Sequence, residues 1–163
     1  MPSPVVSHLI GTTMLLIIML VISFYFTNFG TVIGVKAVEK ELNEIAEYIA
    51  SNIIDMISLA NASLSDTLLL EIDFPYEING YGYSINVTKE ADHYIIITRI
   101  EHTTIVEGKA ILPFTSSQII YSPLDPGIDG IEGKNGLHSG TKKALIWCKK
   151  IGTEIYFGFG VRR

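Results

Sequence analysis

The residues able to do chemistry are few and scattered. The four histidines, His8, His93, His102 and His138, share no metal-ligand spacing, so a solvated or core role is expected for each. The sequence has no G-x-S-x-G, phosphate loop, C-x-x-C or H-E-x-x-H. Ser116-Ser117 and Ser139-Gly140 have no base nearby in sequence to activate a hydroxyl. The run Asp125-Pro-Gly-Ile-Asp129-Gly-Ile-Glu132 offers three carboxylates, but it departs from the alternate-position oxygen spacing of a calcium loop and reads as an exposed turn. The single cysteine, Cys148, excludes an intramolecular disulfide and reads as a buried thiol within a strand-like run. No catalytic, cofactor-binding or metal-ligating residue is assigned, and a non-enzymatic role is expected.

Two Asn-x-Ser/Thr triplets, Asn61-Ala62-Ser63 and Asn86-Val87-Thr88, are candidate glycosylation sites. Asn61 is expected just after a helix and Asn86 at a strand end, both exposed. Net charge of −5 and the lack of a basic patch argue against nucleic acid as a partner.

The elements that carry these residues divide sharply along the chain. Residues 1–35 contain no Asp, Glu, Lys or Arg, and 48% of all residues are apolar. The apolar core spans Leu9–Phe26, with an unbroken run from Met14 to Ile22 and an aromatic cluster of Phe24, Tyr25, Phe26 and Phe29 at its end. A bilayer-spanning helix needs about 20 such residues, and aromatics favour its interface. A cleaved secretory signal would carry a basic start and a small-x-small site, and neither is present. A buried core helix would show a polar stripe, and this segment has none. A membrane helix is therefore expected.

Beyond Gly30 and Gly34, where a bend or local melting is expected, the pattern turns amphipathic. Val38, Leu42, Ile45, Ile49, Ile53, Met56 and Ala60 form one stripe, with Glu39, Lys40, Glu41, Asn43, Glu44 and Glu47 opposite. The stripe suits packing on the chain's own β domain or on identical helices, and the sequence leaves both open. From residue 68 the texture is β. Strands are expected over Leu68–Phe74, Tyr81–Thr88, Tyr94–Thr98, Thr103–Leu112, Ile119–Tyr121, Ala144–Lys149 and Glu154–Val161. Asn79-Gly80 is expected to turn a hairpin, Lys89–His93 to form a polar turn, and Ser122–Lys143 to be a long exposed loop. The fold class is α+β: an N-terminal helix over 1–61, then a small antiparallel sheet or sandwich over 62–163.

This layout resembles that of archaeal type IV pilin-like proteins, within the pilin and archaellin superfamily, along the whole chain. The opening Ser3-Pro4-Val5-Val6 is similar to the start of many archaeal pilins. The phrase Ile78-Asn79-Gly80-Tyr81-Gly82-Tyr83-Ser84-Ile85 and the later Ser139-Gly140 are similar to features of archaeal pilin-like membrane proteins. The resemblance implies a structural subunit held in the membrane before assembly, then a homo-oligomeric surface filament with its helices as core and β domains outside. It implies helix–helix assembly through Leu9, Met14, Leu16, Ile17, Leu20, Val21 and Phe24, and an extracellular β domain. Prepilins of the family usually carry a basic leader ending in Lys-Gly or Arg-Gly, which this sequence lacks; it is expected to be already removed or never processed. A non-polymerising relative, such as a stator component of the archaellum motor, is the alternative. The glutamate usual near the start of a bacterial pseudopilin helix is missing.

Overall fold

The computed structural model describes residues 4–63, 65–101, 106–115, 117, 119–123 and 126–163, without the side chains of 4, 5 and 7. The helix, α1, spans Pro4–Ala62. The chain forms two compact units, one ending at Ala37 and one running Val38–Arg163. In the first, every described side chain is exposed, and helical backbone continues through Gly30 and Gly34 without the expected melting. Two isolated glycines cost about 1 kcal/mol each, too little to interrupt a helix with strong formers on both sides.

The second unit combines α1 from Val38 with nine strands: β1 (Thr67–Glu71), β2 (Tyr83–Glu90), β3 (His93–Ile100), β4 (Glu107–Thr115), β5 (Ile119–Tyr121), β6 (Ile131–Lys134), β7 (Gly136–His138), β8 (Ala144–Ile151) and β9 (Glu154–Arg162). One sheet has the order β4-β3-β2-β7. The other runs β1-β8-β9-β5, with β6 also paired to β9. The β5–β9 pairing is parallel, so this sheet is mixed rather than wholly antiparallel.

Several local expectations are corrected by long-range pairing. Asn79 and Gly80 both take positive φ, 49° and 79°, but the turn closes only a single bridge, Ile78 to Tyr81. β1 pairs with β8 instead of β2. Pro75, which has no N–H to give a ladder, lies between β1 and that turn. The polar turn at Lys89–His93 tightens to Ala91-Asp92, because β2 and β3 stay in register out to Glu90 and His93. The Ser122–Lys143 loop holds β6 and β7, which join different sheets; both are short, and their buried Ile131 and Leu137 belong to different core clusters. β4 runs through Pro113 because it is an edge strand and the β3–β4 register shifts there. The expected strand residues 103–105 lie outside the described residues.

One core joins the helix to both sheets. Leu42, Ile49 and Ile53 pack with Ile85, Ile96, Leu112, Ile146 and Phe157, all nearly inaccessible to water. Fully burying each such side chain is worth about 1.5–3 kcal/mol. The amphipathic stripe is thus used up on the chain's own sheets. A smaller cluster of Ile131, Leu145 and Trp147 covers the other face of the β8–β9 pair. There the Trp147 indole N–H donates to the Phe159 carbonyl at 3.0 Å, and the ring lies where a side chain on Gly158 would be.

The helix meets β4 backbone to backbone. A Cβ on Gly108 would come within 2.4 Å of the Leu42 carbonyl carbon. Beside it the buried Thr98 hydroxyl donates to the Leu42 carbonyl at 2.9 Å, and Asn43 Oδ1 accepts from the Lys109 N–H at 2.9 Å. Gly108→Ala must push the helix off the sheet. It is expected to destabilise the protein by about 2–3 kcal/mol, read as a lowered midpoint in thermal or urea unfolding, whereas Gly152→Ala, with open space but a φ of 64° that strains an alanine, is expected to cost about 1 kcal/mol.

Candidate functional site

The feature without an internal structural role is the helix of the first unit. All seven residues implied for assembly lie on it and face outward: Leu9 66%, Met14 59%, Leu16 60%, Ile17 52%, Leu20 70%, Val21 63% and Phe24 74% exposed. At 100° per residue they occupy one face about 160° wide. Mean hydropathy reaches 2.4 over an 18-residue window of this helix, none of it buried, which makes it long and apolar enough to cross a membrane.

Four of its threonines and Asn28 turn their side chains onto its own backbone. Thr13 donates to the Leu9 carbonyl at 2.9 Å, Thr27 to Ser23 at 2.9 Å and Thr31 to Thr27 at 3.0 Å. The Asn28 amide donates to Phe24 at 2.9 Å, and Thr12 reaches the carbonyls of His8 and Leu9. Each such bond removes a donor that would otherwise need water, so the segment suits surroundings without water. Tyr25 stacks on Phe29 with ring centroids 6.1 Å apart, and meets Phe26 edge-on at 6.3 Å.

A second pattern on this helix takes in Gly30 and Gly34, which the local propensity alone marks only as a hinge. Thr12, Leu16, Leu20, Ser23, Thr27, Gly30 and Gly34 recur at spacings of four or three, and end in G-x-x-x-G. That spacing forms a narrow seam on which another helix can approach closely. Neither glycine has a neighbouring atom where a Cβ would stand. The sequence carries this signal as five small residues, with Leu16 and Leu20 among them, at helical spacing.

The remaining sequence-derived candidates do not converge. His93 Nδ1 lies 3.2 Å from the Phe114 carbonyl, and His138 Nδ1 lies 2.9 Å from Glu101 Oε1. His8 is exposed on the apolar helix. His102, Ser116 and Asp125 lie outside the described residues, as does the Ser3 of the opening motif. Glu132 of the acidic turn engages Lys134, which holds its carboxyl below the usual range. Ser139 Oγ accepts from the Tyr83 N–H at 3.0 Å, a structural use of the hydroxyl. Among the described residues, no three His, Cys, Asp or Glu side chains are grouped to hold a metal ion. Both sequon asparagines are exposed, but Asn61 is in the last turn of α1 and Asn86 is mid-strand, opposite Ile97 and Gly136. The expected placement after the helix and at a strand end is corrected accordingly; helix capping and long-range pairing extend both elements past the local signals. Ser63, the third residue of the first triplet, caps that end with its N–H on the Leu59 carbonyl at 2.8 Å.

No protein-family model, curated protein or solved structure matches the chain. The described class is therefore that of the fold itself: a long apolar N-terminal helix followed by a β-sheet domain, compatible with membrane anchoring.

Cys148 is fully enclosed in the core, and burial pushes its thiol up to about 11. At neutral pH the native thiol is expected to resist iodoacetamide and to react once the chain is denatured. Because the folded value lies above the ordinary thiol value of 9, this group's contribution to stability is complete below pH 9 and is lost as pH rises towards 11. Mass-spectrometric labelling and unfolding midpoints at pH 8 and pH 11 check both.

Proposed function

We propose that the protein is a structural subunit of a type IV pilus-like surface filament, held in the membrane by its apolar helix and polymerised by exchanging lipid for neighbouring helices. The observation that carries this reading is an apolar helix whose described side chains up to Ala37 are all exposed, uncharged to Val35 and with four threonines and Asn28 bonded to its own backbone. From Val6 to Val35 that helix is about 45 Å long at 1.5 Å per residue. The hydrocarbon core of a bilayer is about 30 Å thick. Some ten residues of apolar surface therefore lie beyond what lipid tails cover, and identical helices would cover them. The resemblance to archaeal pilin-like proteins supports the same assignment, with the β domain outside the cell and Asn61 and Asn86 as glycan acceptors. In this role the chain is not an enzyme and needs no cofactor.

A non-polymerising anchored module, such as an archaellum stator component, is the second reading. It is favoured by the way the amphipathic part of α1 is consumed by the chain's own core, leaving only the first unit for assembly.

Negative-stain microscopy of cell surfaces and of the purified protein, with mass spectrometry of the mature N-terminus, tests the proposal. Helical polymers with residues 5–30 protected are expected. Gly30→Leu and Gly34→Leu are expected to abolish polymers by filling the seam, while Gly11→Leu, on the opposite side of the helix, leaves them intact. A detergent-solubilised protein that stays monodisperse and monomeric after detergent removal would overturn the filament reading and favour the anchored module.

A further inference from the structure

The β-domain unit carries a charge pattern that its own contacts leave unresolved. An apolar groove of about 320 Å³ is floored by Ile45, Phe74, Pro75 and Ile78 and edged by Tyr48. Its rim holds four carboxylates: Glu41 and Glu44 from α1, and Asp73 and Glu77 from the segment after β1. Asp73 and Phe74 also wall a second hollow, which is lined on its far side by Lys142 and Lys143 and also contains Glu71. Arg162 continues the basic side, because its N–H donates to the Lys143 carbonyl at 3.2 Å. Arg162 and Arg163 line a third hollow, together with Glu71 and Asp129.

Opposite charges thus flank one segment, sharing hollows with Glu71, Asp73 and Asp129 but closing no ion pair there. Among the described residues Glu41, Asp73, Glu77, Lys142, Lys143 and Arg162 make no ion pair. Glu44 meets only the exposed Lys40, at 3.5 Å. The Tyr76 ring, 69% exposed, lies between the two sides and against Gly140, where a Cβ would come within 2.5 Å of the ring. A surface with an acidic and a basic half side by side is self-complementary. A two-fold rotation sets each acidic half on the other copy's basic half, which is the condition for an isologous contact.

We propose that this face of the β domain docks a second copy of the chain, with the Glu41, Glu44, Asp73 and Glu77 rim of each protomer against Lys142, Lys143 and Arg162 of the other. Tyr76 and the apolar groove floor supply the buried part, and the charges fix orientation and make the contact salt-dependent. The contact lies wholly within the β-domain unit, so it stands or falls apart from the seam on the apolar helix.

The test uses the full chain in detergent. Glu77→Cys and Lys142→Cys chains are mixed in equal amounts and treated with a short bismaleimide, with the unsubstituted chain as control for the enclosed Cys148. A cross-linked dimer is expected from the mixture at low salt. It should fall roughly tenfold in about 1 M NaCl, where the Debye length is about 3 Å. The decisive arm adds Glu41→Lys/Glu44→Lys to the first chain and Lys143→Glu/Arg162→Glu to the second. Each reversed chain by itself then loses dimer in sedimentation, roughly tenfold, while the mixture of the two regains cross-linking. Near-UV circular dichroism confirms that both remain folded, as is expected of exposed substitutions. Absence of the dimer, a yield insensitive to salt, or no recovery on mixing overturns the proposal. So does protection of the Glu77→Cys chain by a lysine peptide in the absence of any dimer, which would assign the groove to a cationic partner instead. Gly30→Leu leaves the cross-link in place, so loss of filaments and loss of this contact are read separately.

Discussion

The packing of a helix backbone directly on a strand backbone sets the geometry of the β-domain unit. At Gly108 there is no side chain to hold α1 away, and Leu42 and Asn43 come close enough that even a methyl group would not fit. Such contact leaves polar backbone groups out of water, and the structure satisfies them locally. Thr98 reaches the Leu42 carbonyl, and Asn43 reaches the Lys109 N–H. Thr98 is the one buried polar side chain among the described residues, and it sits at this point. With the helix seated there, its stripe from Leu42 to Ala60 falls between the sheets and closes the core.

The two halves of α1 therefore answer to different solvents although they belong to one element. Up to Ala37 the described side chains are exposed, and threonine hydroxyls and the Asn28 amide fold back onto their own helix. From Val38 the same backbone presents one face to a close-packed interior and the other, rich in glutamate, to water. The absence of charge before residue 36 and its abundance after it mark the change of surroundings in the sequence itself. In the proposed filament, lipid and then neighbouring helices would supply the cover that the sheets supply to the second half.

How far the sequence disclosed this depended on the range of the interactions involved. The helix and its stripe were legible, because a period of 3.6 residues is a local signal and each of its positions is buried or half-buried as expected. The β8–β9 hairpin was legible for the same reason, with Gly152 at φ 64° in its turn. What escaped was pairing across long separations. β1 lies beside β8, β5 runs parallel to β9, and β7 adds to the far edge of the first sheet. Nothing in Gly136-Leu137-His138 announces a strand, since its partner is fifty residues earlier. Asn79-Gly80 has ideal turn chemistry, yet turn chemistry fixes only the turn and leaves the choice of flanking partners to the sheet. The outward-facing residues of the apolar helix were legible as a set, while the narrow seam ending at Gly30 and Gly34 was not, because glycine's local signal is that of a helix breaker.

The placement of the chain's single tryptophan has an optical consequence. Trp147 is enclosed in the outer cluster, its indole over Gly158 and its N–H held by the Phe159 carbonyl. So enclosed a ring is expected to emit as a shielded indole and to report the closure of the β8–β9 sheet, far in sequence from the apolar helix. The protein thus contains its own fluorophore for the integrity of one sheet, and a red shift on unfolding follows that sheet without any attached dye.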